Sequence, residues 1–246
     1  MRGVLVGLLL VGCGPTPTNS GSDAATADGA SDADTNDGAR GDAGTCAMLI
    51  ATHRDFHPTH PDFEKAQGDD RALAKSTLGG DHKPVYAPAG ATLTVSGPAS
   101  FDTWYRDVAG TNLTLQRPMP LVEDPPGTYT FDDQDFFPLD GAGFGNEGNP
   151  HNFHFTTEIH ATFAYHGGER FEFTGDDDVW VFVNNRLALD LGGVHGPETG
   201  ALDFDASAAV LGIQKGNRYA FDVFHAERHT TESHFRMVTT IDCFIF

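Results

Sequence analysis

Residues 171–196 read FEFTGDDDVWVFVNNRLALDLGGVHG, and this stretch decides the fold. Three consecutive acids at 176–178 separate two apolar runs. In the second run, valines alternate with Trp180 and Phe182, which predicts a strand that is buried on both faces. The Asn-Asn pair that follows tolerates positive φ, so it predicts a hairpin turn into the next strand.

The acidic triplet itself is the first candidate site. Asp176, Asp177 and Asp178 repel one another when ionised, and Asp disfavours the strand conformation. A hard cation such as Ca²⁺ would relieve that repulsion, because it takes carboxylate and carbonyl oxygens from a compact loop. The alternative is a solvated acidic turn without an ion.

Strand-like alternation continues on both sides of this stretch. One face of 153–165 carries the apolar residues Phe153, Phe155, Ile159, Ala161, Phe163 and Tyr165, and similar runs occupy 219–225 and 235–241. We therefore predict an all-β protein, an antiparallel β-sandwich of jelly-roll-like form with long decorating loops. The exception is 62–75, where we expect one short helix interrupted by a glycine. Four histidines lie on the polar face of 153–165 or at its ends, and they are expected either to face solvent or to collect transition metals adventitiously: His151, His154, His160 and His166.

Composition excludes one class of partner. The 246 residues carry a formal net charge of −20, with only 15 Lys and Arg against 35 Asp and Glu. Nucleic-acid binding requires a basic face that neutralises phosphates, so we expect no nucleic-acid partner. No Ser-His-Asp signature, phosphate-binding glycine loop or nucleotide motif is present, and we expect no enzymatic activity.

The N-terminal region predicts export. Arg2 precedes a short apolar run that ends in Leu-Val-Gly-Cys, and this resembles the bacterial lipobox. We predict a lipoprotein signal peptide over 1–12, and then a lipidated Cys13 with a disordered Asp/Ala/Gly/Thr tether over 13–45. The folded domain is predicted over 46–246. The predicted location is a bacterial outer membrane or cell surface, with membrane contact only through the lipid.

Two cysteines remain after lipidation, and they bracket the folded region. An exported protein meets an oxidising compartment, where such a pair commonly forms a disulfide. We therefore predict a bond between Cys46 and Cys243, with two unpaired thiols as the alternative.

Seven stretches resemble the fibro-slime domain, and they cover nearly all of 47–242 in order. They are 54–63 (RDFHPTHPDF), 101–107 (FDTWYRD), 136–140 (FFPLD), 151–158 (HNFHFTTE), 175–183 (GDDDVWVFV), 190–196 (DLGGVHG) and 224–229 (FHAERH). The fibro-slime pattern is in turn similar to the protective-antigen-type (PA-fourteen) β-sandwich. That resemblance implies Ca²⁺ held by two adjacent aspartates and by a second loop, with sugar hydroxyls completing the coordination shell.

Carried over to this sequence, the resemblance places the aspartate pair at Asp176 and Asp177 and the second loop at 225–233. Glu227 lies near the position where the lectin members carry an Asn. For Asp176, Asp177 and Glu227 the alternative to metal ligation is a loop in which these acids accept hydrogen bonds from nearby backbone amides. Asp178 is included among the candidate ligands, with hydrogen bonding to backbone donors as its alternative role.

Four further residues are candidate contacts for the ion or its ligand. Asp190 and His195 flank a Gly-Gly loop that the resemblance places near the triplet, where they would either contact a ligand or shape the loop. Trp104 is a candidate for sugar stacking, with a core position as its alternative. His225 lies in the second loop, and together with Glu227 and His229 it also permits a zinc interpretation, although the spacing differs from the helical zinc motif.

These observations predict a Ca²⁺-dependent adhesion domain that binds an extracellular polysaccharide or glycoprotein. Two alternatives remain open. One is a structural surface module in which Ca²⁺ only stiffens loops, and the other is a metal-dependent hydrolase.

Overall fold

The two runs that flank the acidic triplet become neighbouring strands in sequence, but they lie in different sheets. The computed structural model describes residues 46–246. The six-stranded sheet has the order β3 (Asn112–Pro120), β1 (Met48–Phe56), β6 (Phe155–Tyr165), β12 (Asn217–Glu227), β8 (Asp178–Val183) and β9 (Arg186–Leu191). The five-stranded sheet has the order β11 (Glu198–Asp203), β7 (Arg170–Gly175), β13 (Phe235–Thr239), β5 (Tyr129–Asp133) and β4 (Val122–Glu123).

Smaller elements complete the described part of the chain. A two-stranded sheet pairs β10 (Gly193–Val194) with β2 (Gly68–Asp69), and the two helices are α1 (Pro98–Phe101) and α2 (Phe204–Leu211). Every strand pair is antiparallel, and the predicted all-β sandwich is confirmed. The expected helix over 62–75 is wrong. The positive φ of Gly68 interrupts it, and Asp69 pairs with Gly193 instead.

The main core lies between the two large sheets. Phe171 of β7 contacts Phe221 of β12 at a ring-centroid distance of 5.1 Å, which joins one sheet to the other. Phe163 of β6 and Phe235 of β13 are also fully buried in this core. The predicted hairpin is present as well, since Asn184 and Asn185 both adopt positive φ between β8 and β9.

A second core covers the opposite face of the six-stranded sheet. Trp180, Phe182 and Phe224 face it from the sheet, and residues from 73–105 cover them. Trp180 and Trp104 lie 6.2 Å apart between ring centroids. The strand β8 is therefore buried on both faces, as its alternating valines and aromatic residues predicted.

The outer face of β6 is solvated only in part. His166 is exposed, and the side chains of His151 and His160 are 41% and 40% exposed, as the solvent-facing alternative predicts. His154 and the neighbouring Glu158 are buried instead.

Glu158 is 2% exposed and accepts from Arg54 Nη1 at 2.5 Å, and it also pairs with Lys83. His154 is 2% exposed, and its Nε2 lies 2.8 Å from an oxygen of Glu64. These groups are buried because the covering segment, which supplies Lys83, lies over this part of the sheet.

Cys46 and Cys243 form the predicted disulfide, which closes a loop of 197 residues. The backbone of Ile245 also pairs with Thr162 of β6, so this end of the chain is attached to the sheet. The predicted signal, Cys13 and the tether lie outside the residues that the structure describes.

Replacing both Cys46 and Cys243 by Ser should lower the free energy of unfolding by roughly 2–5 kcal/mol, because the open chain gains entropy when it unfolds. Urea denaturation with and without a thiol reductant measures this loss. The reductant should leave the double variant unchanged, and an equal effect of reductant on both proteins would contradict the assignment.

The buried His53 yields a second prediction, on how the free energy of unfolding depends on pH. It is fully buried beside Thr157, and burial lowers its pKa to about 3. The folded state therefore binds its proton less readily than the unfolded state, and the stability it contributes is lost as pH falls from about 6.5 toward 3. His53→Gln should flatten the dependence of the unfolding free energy on pH by up to about 1.4 kcal/mol per pH unit.

Urea denaturation between pH 4 and pH 7 measures that slope. Exposed His166 provides the matched control, and His166→Gln should keep the slope of the unchanged protein. Equal slopes for His53→Gln and the unchanged protein would refute the explanation.

Candidate functional site

The acidic triplet is the crossing from one sheet to the other. Asp176 follows β7 of the five-stranded sheet, and Asp178 begins β8 of the six-stranded sheet. All three aspartates are buried, with 3%, 5% and 0% of their surfaces exposed for Asp176, Asp177 and Asp178. The Asp176–Asp177 peptide bond is cis. Two loops, 192–196 and 228–234, hold the triplet in place through their backbones.

Asp177 is oriented by one backbone donor from each loop. Its Oδ1 accepts from the amide of His195 at 3.1 Å, and its Oδ2 accepts from the amide of Arg228 at 3.1 Å. Burial raises the pKa of its carboxyl well above the usual range, and the nearby charge of Arg228 opposes this only in part. Each oxygen keeps a free lone pair for a further contact.

Asp176 is held by His234. Its Oδ1 accepts from the His234 amide at 2.5 Å, and its Oδ2 lies 3.0 Å from Nδ1 of the same residue. The backbone carbonyl of Asp176 is bound separately, at 2.8 Å, by Nε2 of His225. The carboxylate is therefore fixed from the 228–234 loop.

Glu227 ends β12 beside this pair and is 1% exposed. Its Oε2 is buried and makes no hydrogen bond to the described residues. Burial raises its pKa well above the usual range, and the negative charges of Asp177 and Asp176 raise it further. The hydroxyl of Ser233, also buried without a hydrogen-bond partner, lies near enough to favour the charged form of Glu227.

Three buried carboxylates, those of Asp176, Asp177 and Glu227, thus interact through their charges. Their oxygen-only donor set, with one acceptor that lacks a partner, fits a hard divalent cation such as Ca²⁺.

The contacts of Asp178 favour its alternative role, hydrogen bonding to backbone donors, over ligation of an ion. Its Oδ1 accepts from the Gly193 amide at 2.7 Å, and its Oδ2 pairs with Nε of Arg228 at 2.6 Å. Both side chains of this ion pair are fully buried. The Arg228 guanidinium also donates to the carbonyls of Asp62 and Thr94 and lies 4.6 Å above the ring of Trp104. The pairing of Asp178 with a buried guanidinium distinguishes it from Asp176 and Asp177, which accept no bond from an arginine side chain among the described residues.

Asp190 and His195 shape the rim of the site. Asp190 Oδ1 accepts from the indole of Trp180 at 2.9 Å and from the Gly192 amide at 3.0 Å, and its Oδ2 accepts from the Ala72 amide at 2.8 Å. The ring nitrogens of His195 lie 3.1 Å from the Leu191 carbonyl and 2.9 Å from the Gly196 carbonyl. These contacts favour the loop-shaping alternative, with the His195 amide directed at Asp177.

Two other candidates lie where no ligand reaches them. Trp104 is fully buried in the second core, and its indole donates to Asp62 Oδ2 at 3.0 Å, so the expected sugar-stacking role is replaced by a core position. His225 is fully buried among Phe136, Phe155 and Phe235. Its ring is therefore a support for the triplet backbone, and the zinc interpretation loses one of its ligands.

Sequence reasoning missed Glu232 and His234. Together with Asp176 they form a group in which one ligand atom from each residue lies within 4.8 Å of the others. Glu232 is exposed and His234 is partly buried. The Glu-Ser-His sequence directly before the last strand was the available signal, but the expected second loop ended at 233, one residue too early.

Part of the chain matches a known family of domains. Residues 144–242, which contain the triplet and both loops, match the PA14 domain family. This is the protective-antigen type expected from the sequence.

Two similar relatives come from Dictyostelium discoideum. Protein psiQ is 41% identical over 187 residues, which is 70% of this chain and 18% of psiQ. Protein psiC is 36% identical over 214 residues, which is 79% of this chain and 41% of psiC. The chain thus spans less than half of the length of either relative.

Two solved structures are also similar. One is the PA14 sugar-binding domain from an RTX adhesin, with a TM-score of 0.35, 6% identity, and coverage of 79% of this chain and 89% of that one. The other is the epithelial adhesin 9 A domain from Candida glabrata in complex with Galβ1-4GlcNAc, with a TM-score of 0.28, 9% identity, and coverage of 82% and 94%.

The Asp178–Arg228 pair yields a prediction on stability. Arg228→Met should cost about 3–5 kcal/mol of unfolding free energy, because it leaves a buried carboxylate without its cation. Adding Asp178→Asn should recover part of that loss. Urea denaturation measures both.

The matched control is Arg170→Met, which breaks the exposed pair with Asp203 and should cost less than about 1 kcal/mol. Similar losses for Arg228→Met and Arg170→Met would show that the buried pair has no special role.

Proposed function

We propose that the described domain is a Ca²⁺-dependent glycan-binding module of the adhesion type, without catalytic activity. The observation that supports this proposal is the group of three buried carboxylates, one with an oxygen that has no partner, at the crossing between the sheets. The group lies inside the stretch that matches the PA14 domain family. The fibro-slime resemblance of the same segments belongs to the proposal as well.

Asp176, Asp177 and Glu227 would hold the ion. When bound, Ca²⁺ supplies positive charge to these carboxylates and open coordination positions that sugar hydroxyls can fill. The chain's own contribution is orientation, because the amides of His195 and Arg228 fix Asp177 before an ion arrives. Preorganised ligands reduce the ordering that binding requires.

A glycan would approach from the 228–234 loop. Thr231 and Glu232 are exposed there, whereas Trp104 and Tyr105 are fully buried. We therefore expect contact through hydroxyl coordination and polar side chains rather than through an aromatic platform. The proposed partner is an extracellular polysaccharide or a glycoprotein.

A second function is favoured by the burial of Glu227. A third carboxylate at the ion adds negative charge and encloses it more fully, which is suited to a structural Ca²⁺ that stiffens the two loops. In that case the domain would be a structural surface module.

The proposed location is extracellular or at a cell surface. The disulfide is consistent with an oxidising compartment. Lipid attachment at Cys13 and a bacterial outer membrane are proposed only on the lipobox resemblance, and the relatives named above come from a slime mould. Within 46–246, the structure has no helix of the length and apolar character needed to cross a bilayer.

Thermal unfolding of the full chain in EDTA and then in Ca²⁺ tests the ion. Stabilisation should reach about 2.7 kcal/mol when free Ca²⁺ is 100 times its dissociation constant. Asp177→Asn and Glu227→Gln should abolish the shift, and exposed Asp242→Asn should keep it. A chain that melts at the same temperature in EDTA and in Ca²⁺ would refute the calcium site.

An immobilised-glycan array in Ca²⁺ and in EDTA separates the two functions. The adhesion function predicts glycan signals that EDTA and Asp177→Asn remove. A Ca²⁺ shift in melting with an empty array would instead establish the structural module.

A further inference from the structure

We propose a second metal site next to the calcium position, formed by Asp176, Glu232 and His234 and suited to a transition-metal ion such as Zn²⁺. It shares Asp176 with the proposed calcium site, but its own evidence lies in the 228–234 loop and does not require calcium. Nothing in the PA14 match assigns Glu232 or His234 a role.

The geometry brings the three ligand atoms together from two directions. Asp176 comes from the end of β7, and the other two residues come from the loop before β13. One atom from each lies within 4.8 Å of the others. Zinc-to-ligand bonds are about 2.0–2.2 Å, so only a small adjustment is needed to surround one ion, and exposed Glu232 is free to make it.

The ligand types select the class of metal. Calcium takes oxygen ligands, whereas an imidazole nitrogen suits zinc, copper, nickel and iron. His234 is the partly buried member of the group, and its amide and ring both face Asp176. A site with two carboxylates and one imidazole leaves a fourth position open to water or to a ligand, as in catalytic and exchangeable zinc sites.

Ser233 lies between the two loop ligands in sequence, but its side chain is turned toward Glu227. It is 1% exposed, and its hydroxyl has no hydrogen-bond partner among the described residues. Oε2 of Glu227 beside it is likewise buried without a partner. The Ser233 hydroxyl favours the charged form of Glu227, so these two groups belong to the neighbouring carboxylates, and the second site rests on the positions of Asp176, Glu232 and His234 alone.

A metal at this position would join the 228–234 loop to the end of β7. Since Asp176 serves both sites, a transition metal and Ca²⁺ should weaken each other's binding, and the coupling must be reciprocal. The affinity of the proposed calcium site would then depend on whether the second metal is bound.

Co²⁺ is the probe, because its visible absorption reports nitrogen and oxygen ligation directly. The full chain, stripped with EDTA, should bind one Co²⁺ with a visible band that Zn²⁺ displaces. Glu232→Gln and His234→Gln should each weaken Co²⁺ binding by at least about tenfold, since even outer-shell changes cost 10–100-fold in metal sites. Asp177→Asn should keep the Co²⁺ band.

The control for adventitious binding is His166→Gln, an exposed histidine outside the group, because the chain has 12 histidines. It should bind Co²⁺ like the unchanged protein. Absence of a Co²⁺ band, or equal affinity in His234→Gln, Glu232→Gln and the unchanged protein, would overturn the proposal. Glu232 is exposed, so Glu232→Gln tests the site without disturbing a buried contact.

The same variants test the calcium site separately from the Co²⁺ site. Glu232→Gln should keep the Ca²⁺-induced rise in melting temperature while it loses Co²⁺. Asp177→Asn should lose the Ca²⁺-induced rise in melting temperature and keep the Co²⁺ band. A Co²⁺ band without any Ca²⁺ shift would leave this site standing and remove the calcium site.

Discussion

The buried guanidinium of Arg228 is the interaction on which the rest of the structure depends. It neutralises Asp178 at the start of β8, donates to carbonyls of the segment that covers the six-stranded sheet, and lies over Trp104 in the second core. Its own amide orients Asp177. One residue therefore connects a strand, the covering segment and the acidic site. Because the charge is fully buried, each of these contacts must be present for the arrangement to be stable.

The same pairing also determines which negative charges at the site remain without a cationic partner among the described residues. The positive charge of Arg228 is committed to Asp178, and its effect on Asp177 is insufficient to offset burial. Asp177 and Glu227 are both buried, and the negative charge of Asp177 raises the pKa of the Glu227 carboxyl. Asp178 therefore stabilises the crossing between the sheets through Arg228, whereas Asp177 and Glu227 have no such arginine partner among the described residues.

Local pattern was enough to predict the sheets, but not what covers them. The alternation through Trp180 and Phe182 predicted burial on both faces, and Asn184 with Asn185 predicted the turn. The second core could not be predicted, because Trp104 reaches it from a segment with no clear periodicity. Helix α2 was missed, although Asp203 caps its start and Gly212 in the left-handed region ends it. At the site, the triplet itself was identifiable, whereas the separate role of Asp178 depends on Arg228, which is 50 positions away. No local pattern contains that information.

The disulfide has a mechanical consequence. Cys46 and Cys243 enclose the sandwich between them, so chain segments on either side of the pair are joined covalently at one point. Tension applied between those segments would pass through the sulfur–sulfur bond, and the strands enclosed by the loop would carry none of it. The loops around the acidic triplet lie within the enclosed stretch, so they too would carry none of this load.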